Sequence, residues 1–255
     1  MHASTKTIVL GAVLAAAASF YAAQAAEDAP LELAKDGYFY VNGKIATAGG
    51  KTYATDQMYV EERVPAHRTH ALPIVMVHGG TMSGINYTGT PDGREGWAQY
   101  FVRQGYAVYV VDQPGRGRSG YLEASYGRAR NVDSTNSRAR YVAQEKSKLW
   151  PQAAKHTQWP GTGEPDDPAA QQMVASQLPA IESFTKRQFL NRDALIALFE
   201  KIGPGILLVH SQAGAFAWPV ADARPDAESS TPIATAGRVG TRISRGPDEG
   251  VKPDF

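Results

Sequence analysis

This chain of 255 residues contains no cysteine. Neither a disulfide framework nor a thiolate metal site can be built from it. Charge of one sign is not in excess either, since Lys+Arg 26 against Asp+Glu 25 leaves a net charge of +1. That balance supplies no electrostatic footprint for nucleic acid or for an anionic membrane surface. The longest apolar stretch, near the N-terminus, falls short of the ~20 residues that a bilayer-spanning helix needs. No internal repeat is evident. Six histidines are present, and the last of them is His210. What remains is a chain with 43% hydrophobic residues, enough at this length for one α/β domain with a buried core.

The first residues read as an export signal. Lys6 supplies the positive charge, Ile8 to Ala18 is apolar and alanine-rich, and Ala23-Gln24-Ala25 is an A-x-A cleavage site. The expected mature chain begins at Ala26 and resides in a periplasm or the extracellular medium, where absence of thiols is an advantage. No stable membrane insertion is expected. Three segments follow: a signal peptide over 1–25, a folded domain over 26–225, and an irregular or disordered tail over 226–255. The tail is rich in Ser, Thr, Gly, Pro and Arg, and its few bulky apolar residues share no period.

Within the domain, residues 36–64 read as β-structure. Asn42-Gly43 after Tyr38-Phe39-Tyr40-Val41 is a hairpin signal, and Gly49-Gly50 is a second turn. Ile74-Val75-Met76-Val77 reads as the first buried parallel strand. Trp97, Phe101 and Gln104 lie at helical spacing, closed by Gly105. Tyr106 to Val111 is the next strand, ending in Asp112. Prolines at 151, 160, 165, 168 and 179 break the following stretch into short pieces, with helical segments around 137–148 and 168–177. This stretch, about 121–190, reads as a cap inserted over a sheet. Asn191 can cap a helix in which Leu195, Leu198, Phe199 and Ile202 share a face. Gly203 ends it, and Ile206-Leu207-Leu208-Val209 is a last buried strand. The alternation of strands and helices is that of an open, mostly parallel sheet.

The residues that can do chemistry stand at strand ends. Val209-His210-Ser211-Gln212-Ala213-Gly214 joins the strand at 206 to a helix, with Ser211 at a tight turn, as in a nucleophile elbow. A serine hydroxyl needs a base to become nucleophilic. The N–H of Gln212 would be one oxyanion donor. A helix N-cap serine is the other reading of the same residues. Val209 and Ala213 occupy the positions that are glycine in G-x-S-x-G. His78-Gly79-Gly80 follows the strand at 74, where backbone N–H groups could face a substrate. The second donor falls on Gly80 or Thr81, with Gly80 preferred, and His78 reads as an orienting residue. Asp112-Gln113-Pro114-Gly115-Arg116-Gly117-Arg118-Ser119 forms a tight turn whose arginines could close ion pairs or face water, with the solvated reading preferred. Gly115, Gly117 and Gly120 also spell G-x-G-x-x-G, a weak dinucleotide signal here because no helix opens at Gly120.

Together, Tyr38–Gly43, Ile74–Gly84, Thr90-Pro91-Asp92-Gly93-Arg94 with Trp97, Gly105–Ser119 and Val209–Gly214 resemble the α/β-hydrolase superfamily, in particular the bacterial esterase 713-like group. The resemblance covers about residues 37–225. It implies an α/β-hydrolase fold with an N-terminal β-hairpin and a helical cap. It also implies a carboxylesterase-like serine hydrolase without cofactor, acting on a small-molecule ester. Ser211 falls on the nucleophile, and Gly80 and Gln212 fall on the oxyanion donors. A homodimer is compatible with it. The group's pattern continues with a triad acid and a late histidine. Here no acid is assigned, Glu228 being a poor match, and no histidine follows Ser211.

Three expectations follow. The last strands of the sheet are absent, so the strand at 206 lies unpaired at an edge. Catalysis by this chain is impaired; His67, His70 or His156 would have to stand in as base. The alternative function is a non-catalytic small-ligand-binding or interaction protein on a decayed hydrolase scaffold.

Overall fold

A computed structural model describes residues 30–223 and 232–235. The expected signal peptide and all of the expected tail except 232–235 lie outside the described residues. In chain order, strands β1 (Leu33–Val41), β2 (Lys44–Ala48), β3 (Lys51–Thr55), β4 (Met58–Pro65) and β5 (Ile74–Val77) lead into helices α1 (Ile85–Thr88) and α2 (Trp97–Arg103). Then come β6 (Val108–Asp112), α3 (Glu123–Tyr126), β7 (Ala129–Arg130), α4 (Ser134–Tyr141), α5 (Gln144–Ser147), α6 (Pro168–Ala175) and β8 (Ala180–Ile181). The chain closes with α7 (Phe184–Ile202), β9 (Ile206–His210), α8 (Gly214–Ala223) and β10 (Pro232–Thr235).

The central sheet has the order β1-β4-β6-β5-β9-β10. β6, β5, β9 and β10 are parallel, while β1 and β4 form an antiparallel margin. Strand β5 is buried at all four positions because it lies at the centre with a layer on each face. Alternate residues serve the two layers. Val75 and Val77 pack with Val111, Leu207 and Val209 against Leu195, Leu198 and Phe199 of α7 and Phe216 and Val220 of α8. Ile74 and Met76 pack with Val108, Val110 and Leu208 against Ala98 and Val102 of α2. Each such fully buried aliphatic side chain stabilises the fold by about 1.5–3 kcal/mol.

Helix ends follow the residues. Trp97–Arg103 stops at Gly105, whose φ is +85°. The Gly105 N–H donates to Val102 O (2.9 Å), and the Tyr106 N–H donates to Phe101 O (3.1 Å). These are the paired bonds of a Schellman end, with the Phe101 and Tyr106 rings 5.9 Å apart as its apolar contact. Pro219 stands inside α8, where it cannot donate to the Ala215 carbonyl. The Gln188 side chain of α7 donates to that carbonyl instead, at 3.1 Å.

Several expectations are corrected. Asn42-Gly43 does not join two paired strands: β1 pairs with β4, and β2 with β3. Asn42 is left-handed (φ +58°), and it launches a separate ribbon whose own turn is Gly49-Gly50, both at positive φ. Asn191 caps nothing. It is buried inside α7, its amide donating to Arg187 O at 2.8 Å. The cap is Ser183, whose hydroxyl accepts from the Lys186 N–H at 3.2 Å. Nor is β9 an unpaired edge, because Pro232–Thr235 lies parallel to it, with Ile233 opposite Leu208. A four-residue strand suffices for that pairing, and it gave no signal in a Ser- and Thr-rich context.

Candidate active site

The parallel strands β5, β6 and β9 end side by side. The chain moves from β5 to β6 on one side and later to β9 on the other. Such a reversal opens a crevice at the carboxyl ends of the strands, the usual place for a ligand in an open α/β sheet. The residues at those ends are His78-Gly79-Gly80, Asp112-Gln113 and Ser211-Gln212.

Ser211 is solvent-exposed and has φ +53°. A left-handed non-glycine residue costs on the order of 1–3 kcal/mol and persists only where its surroundings impose it. Here the buried strand β9 enters the turn, and a 3₁₀ turn over Ser211–Ala213 runs directly into α8. Ala213 is fully buried, so the turn is packed from beneath. The result is a strand–turn–helix with the serine at the strained position, the backbone arrangement that a nucleophile elbow requires.

The glycine loop packs against that turn. A Cβ on Gly79 would stand 2.8 Å from His210 Nδ1 and 3.1 Å from Ser211 Cβ. A side chain there would push the His210 ring aside and press on Ser211. One residue on, the Gly80 Cα faces the Gln212 side chain, 3.9 Å from a Cβ at that position to Gln212 Cβ. The structure thus brings Ser211, Gly80 and Gln212 to one place. Within the trans peptide joining Gly79 and Gly80, C=O and N–H point opposite ways. The Gly79 carbonyl is taken by His78 Nδ1 (2.9 Å) and Arg116 Nη1 (3.4 Å). The Gly80 N–H is therefore turned the other way, and it meets no acceptor among the described residues.

His78 is an anchor. Its Nε2 accepts from the Gln113 N–H at 3.1 Å, which leaves the proton on Nδ1, facing Gly79 O. Gln113 Nε2 donates to His78 O at 2.6 Å. Burial, reinforced by the Arg116 charge, lowers the His78 pKa to about 3. The ring is thus neutral, and both nitrogens are engaged in tying the end of β5 to the end of β6.

Asp112 holds the far side of the loop. Its carboxylate accepts from the Gly84 N–H (2.7 Å), the Arg118 N–H (2.8 Å) and Arg118 Nε (2.8 Å). Burial alone would raise its pKa, but those donors outweigh it and the net shift is downward. Arg118 continues to Glu61 Oε2 at 2.5 Å and lies over the Tyr59 ring at 4.1 Å. Arg116 is 3% exposed and also donates to Met82 O at 3.3 Å. The preferred reading of solvated arginines is therefore corrected: Arg116 is buried, and Arg118 follows the ion-pair alternative. The glycine-rich turn folds both guanidinium groups back under the loop after β5, where carbonyls and carboxylates await them. Sequence reasoning missed Arg116 as a loop-setting residue, because a repeating Gly-Arg pattern carries no information on depth. From the cap, the Leu178 N–H donates to Thr81 O at 2.8 Å, and the Thr81 hydroxyl sits 2.5 Å from the Gln177 amide oxygen.

No hydrogen bond reaches the Ser211 hydroxyl among the described residues. His210 packs its ring on Gly79, and burial lowers its pKa. His70 stacks on Tyr106 at 3.7 Å, and His67 faces Glu32 at 3.8 Å; both precede the amino end of β5, opposite the serine. His156 stands in the cap beside Trp150, in a pocket with Gln144, Lys155, Gln158 and Trp159 that does not include the serine turn. Thr90-Pro91-Asp92-Gly93-Arg94 is a self-bonded surface turn, with Arg94 on Asp92 at 2.7 Å, and takes no part in the site.

With this geometry established, the chain can be set beside known proteins. No family model matches it. It is similar to the probable secreted lipase phiG of Fungal sp. (strain ATCC 74256), 39% identical over 195 residues that make up 74% of this chain and 49% of that protein. It is also similar to the solved structure of a novel bacterial esterase, with TM-score 0.60 and 26% identity over 77% of this chain and 66% of that one. The chain belongs to the α/β-hydrolase superfamily. It spans about half the length of the curated relative it matches. Within the α/β hydrolases, the mostly parallel sheet and the helices over it are the shared frame. No helix among the described residues is long and apolar enough to cross a membrane.

Proposed function

We propose that this chain is an exported serine hydrolase of carboxylic esters, of the esterase 713-like kind, with Ser211 as nucleophile. The observation that carries this reading is the strained Ser211 at φ +53° between a buried strand and a helix, with a glycine loop against it. Ser211 Oγ attacks the ester carbonyl and its proton passes to a base. The carbonyl oxygen becomes an oxyanion that accepts from the N–H groups of Gly80 and Gln212. Collapse expels the alcohol and leaves an acyl-serine, which water then hydrolyses. Support comes from the relative named as a secreted lipase and the neighbour named as an esterase. The N-terminal signal pattern supports export to a periplasm or the medium. No cofactor enters these steps.

The base is not among the described neighbours of Ser211, and no triad acid is assigned. A polypeptide of these 255 residues retains oxyanion stabilisation and binding, which in a triad enzyme stripped of its base leave a residual ~10³–10⁴-fold over water. The unbonded Ser211 hydroxyl also favours a second reading, a ligand-binding protein on the same scaffold. Hydrolysis of p-nitrophenyl butyrate separates the two. A slow activity lost in Ser211→Ala is expected; equal rates from both proteins would leave only the binding reading.

A further inference from the structure

Two arginines of the elements that pack around the serine turn are buried and make no ion pair among the described residues. Arg116 is 3% exposed and Arg187 8%. Arg187 precedes Gln188, whose side chain reaches Ala215 in the first turn of α8, so it comes from the part of α7 that abuts the helix following Ser211. Arg116 lies under Gly79, which itself touches Ser211. Every guanidinium carries five N–H donors. Among the described residues only Nη1 of Arg116 is used, on two carbonyls at 3.3 and 3.4 Å. Arg187 makes one long bond from Nη2 to Glu182 O at 3.5 Å and lies over the Phe184 ring at 5.4 Å, itself 6.3 Å from the Phe216 ring of α8, while its buried Nε has no hydrogen-bond partner. Neither arginine takes part in an ion pair among the described residues, nor does Arg130.

Burial of charge without a counter-charge is rare, because the lost hydration is repaid only by pairing. These groups also act on one another. After burial itself, the Arg187 charge is what pulls the Arg116 pKa down, to about 10. Arg130 in turn depresses Arg187, again after burial. The region therefore holds unspent guanidinium donors and positive charge that no ion pair among the described residues answers, Asp112 acting on Arg116 only at a distance. The planar guanidinium fork matches a carboxylate in both geometry and charge.

We propose that Arg116 and Arg187 together seat a carboxylate group of the ligand, so that the ester this site takes also carries a free carboxylate. The statement about esters rests on the hydrolase reading above; the carboxylate seat does not. Carboxylates of the chain itself, Asp226 and Glu228, are the competing source of the same chemistry.

The test is calorimetric titration of the full 255-residue chain at neutral pH with glutarate and with its uncharged dimethyl ester. Labelling of Ser211 by a neutral fluorophosphonate is run beside it. Glutarate is expected to bind and the diester not, with Arg187→Met weakening glutarate at least tenfold and Arg187→Lys falling between. Equal glutarate affinity in wild type and Arg187→Met overturns the seat, as does no binding in any protein. Binding that appears only in Asp226→Asn/Glu228→Gln overturns the ligand assignment in favour of the chain's own acid. Glutarate binding without Ser211 labelling removes the hydrolase reading and leaves the seat standing. Should Arg187→Met fail to fold, competition on the wild type carries the test. Glutarate must then slow the labelling while dimethyl glutarate does not, and equal effects overturn the proposal.

Discussion

The loop from His78 to Gly84 and the hydroxyl of Ser211 stand against each other, but they are held very differently. The loop is bonded to β6 through Gln113 and Asp112, to the turn after β6 through Arg116, and to the cap through Gln177 and Leu178. The serine has an imposed backbone conformation and no hydrogen bond to its side chain. On the proposed reading, the half of the site that would receive negative charge rests on residues 74–119 and 177–178, with Gln212 beside them. The other half, which on that reading must remove a proton, has Ser211 and no base among the described residues. Electrostatic preorganisation can be complete where proton transfer is not, because the first uses local backbone and the second needs a distant side chain.

Removing Asp112 should break the well-held half most severely. Asp112→Ala leaves Arg118 with Glu61 as its sole carboxylate and the Gly84 N–H without its acceptor, for a loss of about 3 kcal/mol, read as a shift in denaturant midpoint at unchanged slope. Acid should weaken the same half. The His78 pKa lies near 3 in the fold against an ordinary 6.5. Between those values the unfolded chain binds the extra proton, so stability falls as pH is lowered through that window, with a limiting slope of about 1.4 kcal/mol per pH unit. Stability is fully present above 6.5, and chemical denaturation at several pH values checks the sign. Replacing His78 by Gln should flatten that slope.

A smaller change tests whether the two halves work as one site. Gly79→Ala puts a methyl against His210 and Ser211 and should lower the rate of Ser211 acylation by roughly 10²-fold, the scale of losing one oxyanion donor. The global melt should change far less. Unchanged labelling would mean the loop and the serine are independent. The smallest effect lies behind the serine. Gln188→Leu leaves the partly buried Ala215 carbonyl without the donor that Pro219 denies it, costing about 1 kcal/mol in stability, with acylation changing less than in Gly79→Ala.

What could be read from the residues was what is local. β5, β6 and β9 are short apolar runs next to turn residues, and the Gly105 stop and the elbow at Ser211 are written in contiguous sequence. Pairings between distant segments were not legible: β1 with β4 across a separate ribbon, and β10 beside β9. Depth was not legible either. Asn191 has the chemistry of a cap and serves as a buried amide. Arg116 and Arg118 have the chemistry of a solvated face, yet tertiary partners at Gly79, Met82, Asp112 and Glu61 draw them inward.

The most direct measurement is the site of modification after incubating the full chain with a fluorophosphonate, read by mass spectrometry of its peptides. The account predicts a single adduct on Ser211, slowed in Gly79→Ala and absent in Ser211→Ala. An unmodified Ser211, or an adduct spread over other serines at equal rate, would contradict it.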